Sequence, residues 1–251
     1  MRFLSILVGL GAAFILSGCI ISNAPVTDRT QLVLVDAKKE KALGLSEAES
    51  ILKNATLSAN KTLTNKIVEI GKRIVAVSDD AKQYEWDFYL LEDPTINAFA
   101  LPGGKVFFYT GILKLMSNDD QIATVMGHEI AHVLAHHGAE RMSQQMVSNV
   151  GAQILSSVLN IPAEYKGLYS TAYGIASNVG VILPFSRKHE SEADTIGVYL
   201  MKKAGYNPNE AVKFWQKMAE ASRGSKLEFL STHPSDERRI KDIEAYIKTL
   251  E

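Results

Sequence analysis

His128-Glu129-Ile130-Ala131-His132 lies in an apolar run, with Ile122 and Val125 before it and Val133 after it. On an α-helix, four residues rise about 6 Å and turn about 400°. Both imidazoles therefore project from one face, a single turn apart. Two neutral imidazoles so placed suit a tetrahedral zinc ion at nitrogen distances of about 2.0–2.1 Å. Glu129 then lies beside the open position, where a carboxylate can take a proton from water on the metal. Zinc lowers the pKa of that water from about 15.7 to about 7. A surface helix carrying two histidines by chance is the plain alternative, and the apolar neighbours argue against it.

A catalytic zinc site needs a third protein ligand. His136 and His137 follow closely, but His136 lies about 12 Å along a straight helix from His128, too far to share one ion. The spacing also departs from the metzincin pattern, whose third histidine comes six residues after the second. His136 and His137 therefore read as helix-end or supporting residues. A better donor lies in Ser186-Arg187-Lys188-His189-Glu190-Ser191-Glu192-Ala193-Asp194. Glu190 and Asp194 are four apart, on one helix face. One can bind the metal while the other holds a ligand imidazole by its far nitrogen. Taken alone, that segment is an ordinary charged helix.

The rest of the chain bounds what such a site can serve. The 251 residues carry 27 basic and 28 acidic side chains, a net charge of -1, and 46% hydrophobic residues. This suits one globular unit and gives no basic face for nucleic acid. Arg2 and the apolar run Phe3 to Leu16 read as a secretory signal, too short for a bilayer span of about 20 residues. Leu16-Ser17-Gly18-Cys19 resembles the lipobox of bacterial lipoproteins, with Cys19, the single cysteine, as the lipidated residue. Ile20 after it, in place of aspartate, leans towards the outer membrane. The expected organisation is a signal peptide over 1–18, a lipidated tether over 19–45 and a catalytic domain over 46–251.

The Ser46 to Glu49 spacing predicts a helix start, with helix to about Val77 and a break near Asn60. Tyr84 to Leu91 favours a strand. Asn97 to Tyr109 reads as extended, with a turn at Pro102-Gly103-Gly104. Asn118-Asp119-Asp120 predicts a helix running to about Val147. Gly167 to Ser186 has no charged residue, but its glycines and polar residues favour a packed helix over a membrane span. Further helices are expected at about 188–204, after Asn207-Pro208, and from Ser235 onwards. The fold class is α+β, mostly α, with a small sheet beside the metal helix.

The ordered set of motifs resembles the zinc metallopeptidases of the CAAX prenyl endopeptidase, HtpX and BepA type, in their soluble lipoprotein form. It comprises Asp28-Arg29-Thr30-Gln31-Leu32, Asn97-Ala98-Phe99-Ala100-Leu101-Pro102-Gly103-Gly104, the HExxH helix, the segment 186–194, and Thr232-His233-Pro234 with Arg238. The resemblance implies a gluzincin-type zincin fold with His128, His132 and Glu190 on one Zn²⁺ per chain and Glu129 as general base. It implies Asp194 as the residue orienting a ligand histidine, with Glu192 as the rival third ligand. The strand Asn97, Ala98, Phe99, Ala100 would take extended substrate at its edge. His233 either caps the last helix or, as the resemblance implies, approaches the metal as a latch. Arg238 either stabilises the oxyanion or pairs with the acids at 190–194. The implied function is endoproteolysis of unfolded or misassembled envelope proteins at the periplasmic face of the outer membrane. The alternative is an assembly factor or chaperone whose proteolysis is latent.

Overall fold

The computed structural model describes residues 20–158, 183–223, 227, 229–230, 233 and 237–250. The signal segment, Cys19 and most of the uncharged stretch from 167 to 186 lie outside the described residues. Among those described, no helix is long and apolar enough to cross a membrane.

The chain opens with a hairpin of β1 (Ile20–Asn23) and β2 (Thr30–Val33), in antiparallel register with Ile20 opposite Val33. The helix α1 (Ala37–Asn54) follows. Residues 19–45, expected as a tether, thus contain a hairpin and the first turns of a helix. The start lies at Ala37 because the Asp36 carboxylate accepts from the Lys38 and Lys39 amides. Ser46 falls inside that helix. The break near Asn60 is real: α2 (Lys61–Val75) begins after Asn60, whose side chain accepts from the Leu63 amide.

A three-stranded sheet comes next, made of β3 (Asp87–Leu91), β4 (Ala98–Leu101) and β5 (Lys105–Tyr109). Its order is β3-β5-β4, with β5 parallel to β3 and antiparallel to β4. Gly103 and Gly104 make the β4–β5 turn at φ 94° and 92°, a region that suits glycine. One sheet face, with Phe88, Leu90, Val106 and Phe108, packs into the main core with Ile67, Ile70 and Ile74 of α2. The other face carries Leu91 and Phe107 beneath Ala48 of α1.

After a single turn of helix, α3 (Thr110–Leu113), the metal-motif helix α4 runs from Asp119 to Leu134. The Asn118 side chain accepts from the Gln121 amide at 2.9 Å, and Asp119 and Asp120 sit in the first turn, where the helix dipole favours them. Every residue from Gln121 to Leu134 is buried. The helix was expected to continue to Val147. Instead it stops at Leu134, His136 adopts φ 51°, and α5 (His137–Val158) starts anew. A left-handed non-glycine residue costs about 1–3 kcal/mol, offset here by the 2.8 Å contact of His136 Nδ1 with the Glu40 carboxylate.

Among the described residues, the helices α6 (Leu183–Lys203), α7 (Asn209–Ala221) and α8 (Glu237–Thr249) follow. Helix α6 crosses α4 at two glycines. A Cβ on Gly197 would lie 2.8 Å from the His128 amide nitrogen, and one on Gly127 would lie 2.8 Å from the Gly197 carbonyl oxygen. That approach brings the acids of α6, two turns earlier, to the imidazoles of α4. Trp215, Phe214 and Phe229 fill the space behind, each worth about 1.5–3 kcal/mol in burial.

Candidate active site

His128 and His132 of α4, Glu190 of α6 and His233 converge, each offering one donor atom within 4.8 Å of the others. The two histidine Nε2 atoms are 3.1 Å apart. Glu190 lies 3.2 Å from His128 Nε2 and 3.4 Å from His132 Nε2. Donors at 2.0–2.1 Å around a tetrahedral ion would be about 3.3 Å apart, so the donor set fits zinc. His233 Nδ1 stands 3.3 Å from His128 Nε2 and 3.2 Å from both Glu190 oxygens.

The charges suit a cation. Burial opposes ionisation of the Glu190 carboxyl, but the imidazoles around it hold it well below the usual carboxylate range. Burial holds His132 well below the imidazole range, so it stays neutral with a lone pair to offer. His128 differs. Burial again lowers it, but Asp194 and Glu190 outweigh that and raise it to about 9. Glu129 is buried beside the donors, and burial pushes its carboxyl up against the pull of His233 and His128. One of its oxygens lies 3.5 Å from His233 Nε2. A hydrogen bond from the Ala100 backbone ties Glu129 to β4.

Asp194 Oδ1 meets His128 Nδ1 at 3.0 Å. Arg239 in turn grips Asp194, from Nε at 2.6 Å and from the guanidinium at 2.8 Å, and reaches Glu190 at 3.2 Å. Its guanidinium lies over the Trp215 ring, 3.9 Å from the centroid. The arginine at the acids is thus Arg239, while Arg238 is exposed. The signal was legible: in α8 the buried positions are Arg239, Ile243 and Ile247, a four-residue stripe that excludes 238.

Glu192 does not face the donor group. It accepts from Thr27 Oγ1 and, at 2.7 Å, from Arg29 Nε, and meets His137 Nε2 at 2.9 Å. His137 Nδ1 lies 2.8 Å from His132 Nδ1. Burial keeps His137 well below the imidazole range, hence neutral. Arg29 also grips Glu140 at 2.9 and 2.7 Å, and Glu140 meets His189 Nε2 at 3.0 Å. Neither Thr27 nor Glu140 stood out in the sequence.

The cleft in front of the donors is lined by Asn97, Phe99 and Ala100 of the β4 segment, together with Glu129, His132 and Arg141. Among the described residues β4 pairs only with β5, so its other side is an edge.

A family model described as Peptidase family M48 matches residues 61–247. The chain belongs to this family. Its cofactor is zinc, for which the four-residue group above is a fitting holder. The mitochondrial metalloendopeptidase OMA1 of Schizosaccharomyces pombe is 35% identical over 232 residues, covering 90% of this chain and 66% of that protein. The beta-barrel assembly-enhancing protease of Yersinia pestis is 32% identical over 212 residues, covering 81% and 43%. Its Escherichia coli K12 counterpart is 32% identical over 195 residues, covering 75% and 40%. The chain thus spans less than half the length of these bacterial relatives.

Proposed function

We propose that the chain is a zinc-dependent endopeptidase that cuts unfolded or misassembled envelope proteins at a membrane surface. The carrying observation is the donor group His128, His132 and Glu190 with the Glu129 carboxyl buried beside it, against the edge strand β4. When bound, zinc supplies a Lewis acid that polarises a carbonyl and acidifies water near neutral pH. Glu129 takes a proton from the attacking water on its carboxylate. Its raised affinity for protons lets it hold that proton and pass it to the departing amine. The edge of β4 pairs with an extended substrate, holding the scissile bond over the donors. Asp194 holds His128 by Nδ1, leaving Nε2 free for the metal.

The membrane part of the proposal rests on Leu16-Ser17-Gly18-Cys19 and Ile20, read as a lipid anchor at the inner leaflet of the outer membrane. The name of the Yersinia and Escherichia relatives, a beta-barrel assembly-enhancing protease, supports envelope proteins as the substrate class. Purified protein should hold about one zinc per chain. Glu129→Gln should keep the metal and lose about 10²–10⁴-fold in cleavage of unfolded casein. Full activity in that variant would sink the proposal.

A second reading is favoured by His233, whose Nδ1 lies 3.3 Å from His128 Nε2. In that position it competes for the metal's open site and makes proteolysis latent, so the chain acts chiefly as an assembly factor. His233→Ala should then cut casein faster than the unaltered protein, and equal or slower cutting would dismiss the latch.

A further inference from the structure

The hairpin of β1 and β2 lies before the family-matched residues 61–247, yet it reaches the rear of the metal site. Given the zinc-peptidase reading, on which this rests, we infer that Arg29 is a positioning residue for the ligand His132, acting through Glu192 and His137. The chain of contacts fixes every proton. For His132 to present the Nε2 lone pair to the metal, its neutral ring must carry hydrogen on Nδ1. That N–H points at His137 Nδ1, 2.8 Å away, which must then be an acceptor. Neutral His137 therefore carries its hydrogen on Nε2 and donates to Glu192 Oε2 at 2.9 Å. Glu192 can serve as a fixed acceptor there only if its charge is neutralised.

Arg29 supplies that charge from Nε at 2.7 Å, and Thr27 holds the other carboxylate oxygen. The remaining guanidinium nitrogens clasp Glu140 of α5, so one arginine ties α5 to α6 while orienting the relay. The side chain is only 13% exposed, which keeps the pairs in a low-dielectric setting where they are strong. The turn between the strands is shaped to present it. Val26 and Asp28 adopt φ 67° and 54°, and Asp28 is held by Asn23 at 2.9 Å. Left-handed backbone at non-glycine residues is strained. They place Thr27 and Arg29 against Glu192 together.

Groups that support a metal ligand typically change metal affinity by about 10–100-fold. The test is zinc affinity of the full chain, by competition with a chelator, for the unaltered protein, Arg29→Gln, His137→Phe and the double variant. Circular dichroism and thermal melting confirm that each is folded. Each single variant should weaken zinc binding about 10–100-fold. The double variant should bind no worse than His137→Phe alone, because the relay from Arg29 to His132 runs through that ring. Multiplied losses, or unchanged affinity in Arg29→Gln, would overturn the relay. Should Arg29→Gln not fold, Arg29→Lys keeps a charge opposite the two acids and serves in the same cycle. A chain that holds no zinc in its unaltered form would strike the peptidase reading itself, a distinguishable result.

Discussion

The two zinc-motif histidines are backed in different ways. His128 rests directly on a carboxylate, Asp194, which Arg239 clamps from behind. His132 rests on a neutral imidazole, His137, and only then on a carboxylate, Glu192, clamped by Arg29. The consequence appears in their basicity. Burial lowers both rings, but Asp194 and Glu190 outweigh it at His128 and raise that ring, while His132 stays well below its usual range. A direct anion makes the imidazole it faces a more basic donor, whereas an interposed neutral ring passes on orientation without that charge. The difference also divides the chain. Arg239 falls within the matched residues 61–247, and Arg29 precedes them.

Removing the direct carboxylate should have the largest effect. Asp194→Ala leaves the Arg239 charge buried with one partner fewer, so about 3–5 kcal/mol of stability should be lost. Zinc affinity should also fall about 10–100-fold. Chemical denaturation and chelator competition measure the two. A loss of stability no greater than that of Arg29→Gln would erase the proposed asymmetry.

Gly197→Ala should loosen both relays together. The added methyl meets the His128 backbone, which cannot give way as a flexible side chain can. About 1–3 kcal/mol should be lost in thermal or denaturant melting, and a neutral result would mean that the α4–α6 approach is not tight.

Acid should probe the Arg29 side. Burial works against the Glu140 charge, but His189 and Arg29 outweigh it and bring its pKa from 4.5 to about 2. Since the folded value is depressed, Glu140 contributes stability that is complete above its ordinary pKa and is lost as pH falls through about 2. Denaturation curves between these limits should be flatter for Glu140→Gln than for the unaltered chain. Equal slopes would show that Glu140 is not held as described.

The smallest effect separates neighbours. Arg238→Ala, at an exposed position, should change stability by less than about 0.5 kcal/mol and leave zinc affinity unaltered. A large loss there would transfer the role given to Arg239.

Local sequence rules reached part of this. The Asn118 cap, the Gly103-Gly104 turn and the break at Asn60 each depend on residues within a few positions of one another, so they could be read in advance. The helix start differs from the Ser46 spacing because the Asp36 carboxylate caps the chain ten residues earlier. The continuous helix to Val147 failed at His136, because no local rule foretells a left-handed residue paid for by Glu40, nearly a hundred positions earlier.

By itself the sequence determined what depends on helical spacing: two imidazoles on one face, an acid beside them, and a pair of acids four apart on another helix. It left open whether residue 190 or 192 turns to the imidazoles. It also gave no hint that the first hairpin lies behind His132. Those depend on how α6 rotates as it crosses α4 at Gly127 and Gly197, and on where the hairpin docks. Packing between segments far apart in the chain sets both, and spacing along one segment carries no information about it.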